Sequence, residues 1–143
     1  PVEISNRKSI ETLARNGNIV ITVGGGGIPA FYVEPGKLQG IDAVIDKDLA
    51  SSMLATQINA DEFYILTDVP RVYINFNTPQ QKELVKITVA EAKQYLEDGH
   101  FTEGSMAPKI RAAIRFIENG GRKCTITEAH ELGKDQAGTQ IVK

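Results

Sequence analysis

The chain has 143 residues, of which 41% are apolar and 24% charged, and its formal net charge is −2. This size and composition allow one globular domain with a buried core, and so small a charge gives no electrostatic reason to expect nucleic acid or an anionic membrane as a partner. The single cysteine, Cys124, cannot form an intrachain disulfide, so a reducing compartment suits the chain and we expect the cytoplasm. No run of residues is apolar enough to cross a membrane, and none resembles a signal peptide.

The first third of the chain predicts a helix, a strand and a loop. Ser5 can cap a helix over residues 6–16, which carries an apolar stripe. The segment 18–23, NIVITV, is short, apolar and β-branched, as expected for a buried strand. Four consecutive glycines follow it, and FYVEPGKLQG further on is typical of a loop or hairpin.

From residue 45 onward, helical and strand patterns alternate. The predicted helices cover 45–58, 88–98 with a Thr88–Glu91 capping box, a segment that GSMAPK opens and Gly120 ends, and a short stretch at 128–134. The predicted strands are 61–67, 72–76, 123–127 and 138–142. This alternation predicts an α/β fold with a mostly parallel sheet covered on both faces. Ligands of such sheets bind beyond the carboxyl ends of the strands, where the glycines and TDV at 67–69 both fall.

The consecutive glycines could wrap an anionic group. Gly24, Gly25, Gly26 and Gly27 expose backbone amides with no side chain in the way, as phosphate-binding loops do. The pattern lacks the third glycine of the dinucleotide fingerprint and the Lys-Ser or Lys-Thr of a P-loop. A tight turn is the alternative, but four glycines cost more backbone entropy than a turn requires, so we favour phosphate contact.

Two lysines stand at predicted helix starts, where a cation opposes the helix dipole. Lys47 lies between Asp46 and Asp48, either of which can cap the helix, and Lys109 follows Pro108, which suits the first helical position. A bound anion would remove both conflicts, and free amides at the helix N-termini would add to its binding. Two such lysines and a glycine loop predict a binding site for a polyphosphate and its transferring phosphoryl group. Phosphoryl transfer depends mainly on positioning and charge neutralisation, which lysines and backbone amides supply.

A further group of polar and aromatic candidates lies after the strand at 61–67. Thr67 and Asp68 could bond a ribose or a ring, and Tyr73 or Phe76 could flank a base. A plain turn with two core aromatics is the simpler explanation of these four residues taken alone. They become candidates for a nucleotide pocket only in combination with the lysines.

The remaining reactive side chains show no recognisable site. His100 and His130 lack metal-ligand spacing, and no Ser-His-Asp order is present, so we assign neither histidine a catalytic role. Cys124 lies in the predicted strand KCTIT, with no thiolate-activating partner nearby in sequence. We therefore expect it to pack in the core.

Several stretches of the chain resemble the carbamate kinases, which belong to the amino-acid kinase family. These stretches are ITVGGGGIP, GIDAVIDKDLASSMLA, ILTDVPRVYINF, HFTEGSMAPKIRAAIRFIENGG and GTQIV, and they follow one another over essentially the whole chain. The resemblance implies a three-layer α/β/α fold. It also implies reversible phosphoryl transfer, with Mg²⁺, between ATP plus carbamate and ADP plus carbamoyl phosphate, which forms ATP at the end of arginine deimination.

The resemblance also implies a role for each candidate residue. Lys47 is similar to the lysine that contacts the transferring phosphoryl group, and Asp48 to the aspartate that orients the active-site lysines. Lys109 is similar to the lysine on the outer phosphates of the nucleotide, and the glycine loop would lie near carbamoyl phosphate. The adenosine pocket would be formed by Thr67, Asp68, Val69, Tyr73, Phe76, Met106 and Pro108.

The resemblance covers only the carboxyl-terminal, nucleotide-binding half of such kinases. The chain does not begin with methionine, and the half that brings another glycine loop, a further lysine and the main dimer surface is missing from it. We expect residues 1–143 to form a single nucleotide-binding domain with one uncovered sheet edge. Alone it should bind nucleotide weakly and transfer phosphate poorly, whereas with the amino-terminal half as partner it should form an active, homodimeric kinase.

Three other functions fit parts of the same pattern. One is another kinase of the family, such as an acetylglutamate or uridylate kinase, although the DKD triplet and the four glycines favour the carbamate enzyme. Another is a non-catalytic nucleotide-binding fragment, which the missing half favours. The third is a dinucleotide-dependent oxidoreductase, for which Pro29 and the absent third glycine make a poor fit.

Overall fold

A computed structural model of the chain describes residues 1–25 and 27–143. The helices are α1 (Arg7–Arg15), α2 (Lys47–Gln57), α3 (Val89–Glu97) and α4 (Met106–Glu118), with one 3₁₀ turn at Ala129–Glu131. The strands are β1 (Ala30–Glu34), β2 (Lys37–Gly40), β3 (Glu62–Thr67), β4 (Val72–Ile74), β5 (Lys82–Leu84), β6 (Lys86–Thr88), β7 (Lys123–Glu128) and β8 (Thr139–Val142).

Four of these strands form a central sheet in the order β3-β7-β8-β6. Strand β3 is parallel to β7 and β6 is parallel to β8, while β7 and β8 are antiparallel. The other strands form two antiparallel hairpins, β1–β2 and β4–β5. The predicted α/β fold with a mostly parallel sheet is confirmed, and the hairpin expected at FYVEPGKLQG is present. Strands β5 and β6 were not predicted, since each has only three residues.

Helix α4 occupies the centre of the core. Its predicted apolar stripe is buried, with Ile110 and Ile117 completely inaccessible to solvent. The helix packs against α2 and α3 on its sides and against β7 and β8 below. Since α2 and α4 are neighbours whose first turns both lie near the end of β3, this packing brings their N-termini together.

The two faces of the sheet have different surroundings. Phe63 and Ile65 of β3 point toward the helices and join the core, together with Ile126 of β7. Tyr64 and Leu66 point the other way and are partly exposed. Helices α2, α3 and α4 therefore form one layer over the sheet, and the second helical layer of the three-layer arrangement stays a prediction.

Side chains cap the N-termini of two helices. The Thr88–Glu91 capping box of α3 is confirmed, and Asp46 caps α2 by accepting hydrogen bonds from the amides of Asp48 and Leu49. At α1 the prediction of Ser5 as the cap is wrong. The helix begins one residue later, Asn6 holds the cap position and its side chain forms no capping bond.

The prediction of a buried strand at 18–23 is also wrong. The segment forms no strand, and Ile19 and Ile21 are 98% and 99% exposed. A strand is stable only when it pairs with a neighbour. Among the described residues, β3 pairs only with β7, and the segment 18–23 pairs with neither. The apolar pattern was correctly recognised, but the part of the chain that the structure describes offers this segment no partner.

The short helix expected at 128–134 is reduced to the 3₁₀ turn at Ala129–Glu131. Within residues 1–25 and 27–143, no helix is long and apolar enough to cross a membrane.

Candidate functional site

Asp48 and Lys109 form a buried ion pair between the first turns of α2 and α4. The Nζ of Lys109 donates to Oδ2 of Asp48 at 2.9 Å, and each residue is only 8% exposed. Burying either charge alone would cost far more than burying the pair. The pair therefore holds the Lys109 ammonium at one position, facing the space beyond the end of β3.

Lys47 approaches the same carboxylate from the outside. Its Nζ lies 3.7 Å from Oδ2 of Asp48, and its side chain is 52% exposed. An exposed ion pair of this kind is weak, so Lys47 is free to turn toward a ligand. Asp48 thus stands between two ammonium groups, one fixed in the protein and one directed toward solvent.

These three residues line a polar cavity of about 320 Å³ at the carboxyl end of β3. Its charged side chains are three carboxylates and two ammonium groups, on Asp46, Asp48, Asp68, Lys47 and Lys109. The other lining residues are Leu66, Thr67, Gly104, Ser105 and Pro108. The formal charge of the lining is therefore −1, which means that a polyphosphate would need a bound cation beside the lysines.

Several of the amides predicted to be free at the two helix N-termini are engaged within the protein. At α2 the Asp46 carboxylate accepts hydrogen bonds from the amides of Asp48 and Leu49. At α4 the amides of Ser105 and Ala107 both donate to the carbonyl of Thr102, at 3.1 and 3.0 Å. The loop before α4 folds back and uses these donors itself, so the attraction for an anion in the cavity comes mainly from the lysines.

Pro108 is the third residue of α4, not the first, and Lys109 is the fourth. Proline is tolerated here because the first four amides of a helix have no intrahelical acceptor. Lys109 therefore lies one turn inside the helix. This depth explains its burial and its contact with Asp48.

A second, more apolar cavity of about 180 Å³ adjoins the first. It shares Thr67, Asp68 and Ser105 with the polar cavity. Tyr73 and Phe76 form one wall, with ring centroids 5.9 Å apart. The remaining lining residues are Val69, His100, Phe101, Thr102 and Met106. An apolar cavity with a few polar groups at its edge is the usual form of a site for a flat organic ring.

Three residues of this second cavity were missed by the sequence analysis: His100, Phe101 and Thr102. They lie in the loop HFTEGS, which directly precedes α4 and its lysine. The packing of His100 edge-on against Tyr95, with ring centroids 5.7 Å apart, holds the imidazole near the cavity. Their position in the loop before a cavity-lining helix was the signal that could have identified them.

The structure does not bring the glycine loop into either cavity. Gly24 and Gly25 lie outside both linings, and Gly26 falls outside the described residues. The Gly27 amide donates to the carbonyl of Ile45 at 3.4 Å. This bond places the end of the loop next to the residue that precedes Asp46, so the loop neighbours the polar cavity without lining it.

The other reactive side chains stay apart from these cavities. Cys124 is buried in the core, and its burial raises the pKa of the thiol. His130 lies in the 3₁₀ turn after β7. No group of three or more His, Cys, Asp or Glu side chains that could hold a metal ion occurs in residues 1–25 and 27–143.

Comparison with known proteins identifies the family. The profile of the amino acid kinase family matches residues 1–128, and the chain belongs to that family. It is 56% identical over 147 residues to a carbamate kinase of Thermoplasma acidophilum, a match that covers 100% of this chain and 48% of that protein. A carbamate kinase of Thermoplasma volcanium is 52% identical over 145 residues, covering 99% and 47% of the two chains.

A solved structure gives the same result at the level of the fold. A carbamate kinase from Giardia lamblia bound to AMP-PNP superimposes with a TM-score of 0.93 at 43% identity, over 100% of this chain and 51% of that one. The chain thus spans about half the length of the relatives it matches.

Proposed function

We propose that this chain supplies the nucleotide-binding half of a carbamate kinase. The complete enzyme would catalyse the reversible transfer of a phosphoryl group between ATP with carbamate and ADP with carbamoyl phosphate. The relatives named carbamate kinase match nearly the whole chain, but the chain covers about half of each. The activity, substrates and partners of the complete protein are therefore part of the proposal.

The observation that carries this proposal is the fixed Lys109 ammonium in a polar cavity that adjoins a more apolar one. The apolar cavity between Tyr73 and Met106 suits an adenine ring. The polar cavity suits phosphates, because Lys109 and Lys47 both face it. A nucleotide laid across the shared residues Thr67 and Asp68 would place its base in one cavity and its phosphates in the other.

The proposed chemistry follows from the two lysines. When carbamoyl phosphate reacts, its P–O bond to the carbamoyl oxygen breaks and a new bond forms to the terminal oxygen of ADP. Phosphoryl transfer needs positioning and charge stabilisation more than covalent help from the protein. Lys109, fixed by Asp48, would hold the outer phosphates in place. Lys47, which is exposed and weakly paired, would follow the transferring group and neutralise its charge.

Magnesium would enter with the nucleotide. Mg²⁺ in kinase sites is bound mainly by phosphate oxygens and water with one or two carboxylates, so it needs no cage of protein ligands. The formal charge of −1 in the polar lining supports this part of the proposal, because the two lysines do not offset three carboxylates and a polyphosphate. We assign the ion no protein ligand.

We further propose that turnover needs the amino-terminal half of a kinase of this family, with a homodimer as the complete form. Exposed Ile19 and Ile21 precede the glycines, and Ile28 and Val44 flank the hairpin that follows them. Such a concentration of exposed apolar side chains is typical of a surface that another chain segment covers. ATP formation after arginine deimination, in the cytoplasm, is the setting that these substrates suggest.

Calorimetric titration with Mg²⁺ and ADP tests the nucleotide half directly. The parent chain should give saturable heat, Lys47→Met should weaken the binding, and Lys109→Met should weaken it more. Lys8→Met, an exposed lysine of α1 that lines neither cavity, is the matched control and should bind like the parent.

ATP formation from carbamoyl phosphate and ADP tests the complete reaction. The chain alone should form little ATP, and addition of the unmatched segment of the Thermoplasma acidophilum relative should raise the rate. Rapid turnover by this chain alone would contradict the need for a second half. A folded parent chain that binds no ADP, and forms no ATP after mixing, would contradict the proposed function itself.

A non-catalytic nucleotide-binding fragment is the second candidate. The coverage of about half of each relative favours it. It predicts the same ADP titration but no ATP formation under any mixture, so the two experiments together separate it from the kinase.

A further inference from the structure

The aromatic wall of the apolar cavity belongs to a hairpin that lies outside the central sheet. Tyr73 is in β4, and Phe76 follows it in the turn toward β5. Strands β4 and β5 pair with each other, and neither joins the order β3-β7-β8-β6. The position of both rings therefore depends on the contacts that hold this hairpin on the sheet, beyond the continuation of β5 through Val85 into β6.

One buried hydroxyl group provides this attachment. The Val72 amide donates to Oγ1 of Thr139 at 2.8 Å, and the same hydroxyl donates to the carbonyl of Leu84. Val72 and Leu84 face each other across the hairpin, in β4 and β5. Thr139, in β8 of the central sheet, thus bonds both strands of the hairpin at once.

All three residues of this bridge are buried. Val72 and Thr139 are 0% exposed and Leu84 is 4% exposed. If the hydroxyl were removed, one amide and one carbonyl would be left buried without a partner, which is unfavourable. Water cannot readily replace the lost bonds, because the bridge is closed on all sides.

At the β5 end the backbone also holds the hairpin, since β5 continues through Val85 into β6 and the Gln140 amide donates to the Val85 carbonyl at 2.9 Å. The other side-chain attachments of this region are longer or more exposed. The Thr127 hydroxyl donates to the carbonyl of Pro70 at 3.3 Å, near the long limit of a hydrogen bond. Arg71 donates to the carbonyl of Gln136 at 3.1 Å, but this contact is exposed to solvent. The bridge through Thr139 is the buried side-chain contact that ties both β4 and β5 to the central sheet.

We propose that Thr139 is a positioning residue of the nucleotide pocket, which it shapes by fixing the β4–β5 hairpin on the central sheet. This proposal deepens the proposed function and rests on it, since the pocket is the one assigned to adenine. Thr139 touches no ligand and acts through the backbone of Val72 and Leu84. Substitution of Thr139 should therefore weaken the binding of the base without changing the binding of the phosphates.

The size of the effect follows from a population argument. Only chains with the hairpin attached would present Tyr73 and Phe76 correctly, so apparent affinity falls in proportion to the attached fraction. Leaving two buried backbone groups unpaired shifts the equilibrium between attached and detached hairpin by roughly tenfold or more. The ADP dissociation constant rises by up to the same factor, and by the full factor only where the detached form predominates. Pyrophosphate, which has no base, should be insensitive to this change.

The test compares three variants of the full chain. Thr139→Val removes the hydroxyl and keeps the shape, whereas Thr139→Ser keeps the hydroxyl. Thr125→Val is the matched control, because Thr125 is also buried and lies opposite Gln140 on the neighbouring strand β7. Each variant is titrated with ADP and with pyrophosphate, both with Mg²⁺, and hydrogen exchange is measured without ligand.

In Thr139→Val we expect faster exchange at the Val72 amide with unchanged protection in β3 and β7, because only the hairpin loosens. The ADP dissociation constant should rise by up to about tenfold, and by more than that of pyrophosphate, which should change by less than about twofold. Thr139→Ser and Thr125→Val should resemble the parent in every measurement.

Two results would overturn the proposal. One is unchanged exchange in the hairpin of Thr139→Val, and the other is an equal loss of ADP and pyrophosphate binding, which would mean a general structural role. A folded parent chain that binds no ADP, and forms no ATP after mixing with the other half, would instead refute the proposed function and with it the nucleotide role of Thr139. Hydrogen exchange, which needs no ligand, would still decide whether Thr139 anchors the hairpin.

Discussion

At the scale of single residues, substitutions of the two lysines of the polar cavity should differ in their effect on stability. Lys109→Met leaves the buried Asp48 carboxylate without its close partner, so the free energy of unfolding should fall by about 3 kcal/mol. Lys47→Met removes only an exposed ion pair, and the change should be below about 1 kcal/mol. Both substitutions should weaken the binding of ADP. Urea unfolding followed by circular dichroism, together with calorimetry, measures the two effects separately.

The double variant Asp48→Asn/Lys109→Met provides the control for this comparison. Neither charge then remains buried alone, so part of the stability lost in Lys109→Met should return. ADP binding should not return with it, since the fixed ammonium is still absent. Equal stability of Lys109→Met and the parent would show that the ion pair is not buried in solution.

The thiol of Cys124 is predicted to be unreactive in the native chain. It is completely buried, and its burial raises its pKa, so almost none of it is thiolate at neutral pH. An alkylating reagent added at pH 8 should therefore modify the native protein far more slowly than the urea-unfolded protein. Mass spectrometry over time measures both rates, and rapid native labelling would be inconsistent with this packing.

At the scale of elements, the turn into β8 depends on a glycine. Gly138 has φ +74°, and a Cβ there would lie 2.6 Å from the carbonyl oxygen of Ile126. Gly133 has a similar φ of +85° but open space around it. Gly133→Ala should therefore lower the free energy of unfolding by only about 1 kcal/mol, which is the cost of the left-handed backbone. Gly138→Ala should lower it by more, because the added Cβ also clashes. Because both variants carry the backbone cost, the difference between their urea midpoints measures the cost of the clash at Gly138. Equal midpoints would mean that there is no such clash in solution.

The start of α3 makes a prediction about pH. Hydrogen bonds from Thr88, first from its amide and then from its hydroxyl, lower the pKa of the Glu91 carboxyl. Its contribution to stability is therefore complete above the unfolded pKa of about 4.3 and is lost as pH falls through the lower folded pKa. The stability gap between the parent and Glu91→Gln should shrink between about pH 5 and pH 3. Thr88→Ala should cost about 1 kcal/mol at pH 7.

Acid titration of the free energy of unfolding in the parent and Glu91→Gln measures this gap. The variant Glu97→Gln, at the other end of the same helix, serves as the control for a general charge effect. A gap that stays constant down to pH 3 would mean that the capping box does not form in solution.

The elements that the sequence predicted well are those whose signals are local. The capping box at Thr88 and the buried stripe of α4 depend on residues within one or two turns of each other. The segment 18–23 carries an equally clear strand pattern and yet forms no strand, because pairing is decided by distant residues. The same distinction explains why β5 was missed, since its three residues form a strand only opposite β4.

The candidate site likewise combines features that the local sequence predicts with features that depend on how distant elements pack. The lysines and the TDV turn were identified from their positions at the ends of predicted elements. The salt bridge between Asp48 and Lys109 could not be derived from spacing, because it depends on how α2 packs against α4. The loss of free amides at α4 depends on the backward fold of the preceding loop onto Thr102, which has no simple sequence signal.

At the scale of the whole molecule, the exposed apolar side chains before the glycines call for an explanation. Ile19 and Ile21 are almost fully exposed, in a segment whose β-branched pattern is typical of a buried strand. Globular proteins that function alone rarely expose several such side chains together. Since the relatives are about twice as long as this chain, we infer that the other half of such a kinase covers this segment.

This inference predicts that Ile19→Lys/Ile21→Lys separates folding from assembly. The free energy of unfolding of the chain alone should change by less than about 0.5 kcal/mol, because the side chains contact little in it. Binding of the unmatched segment of the Thermoplasma acidophilum relative, measured by analytical ultracentrifugation, should be lost, and so should the ATP formation that mixing restores. Val2→Lys, which also replaces an exposed apolar residue but lies outside the segment, should preserve both. If the double lysine variant still assembles and turns over, the contact surface lies elsewhere on the molecule.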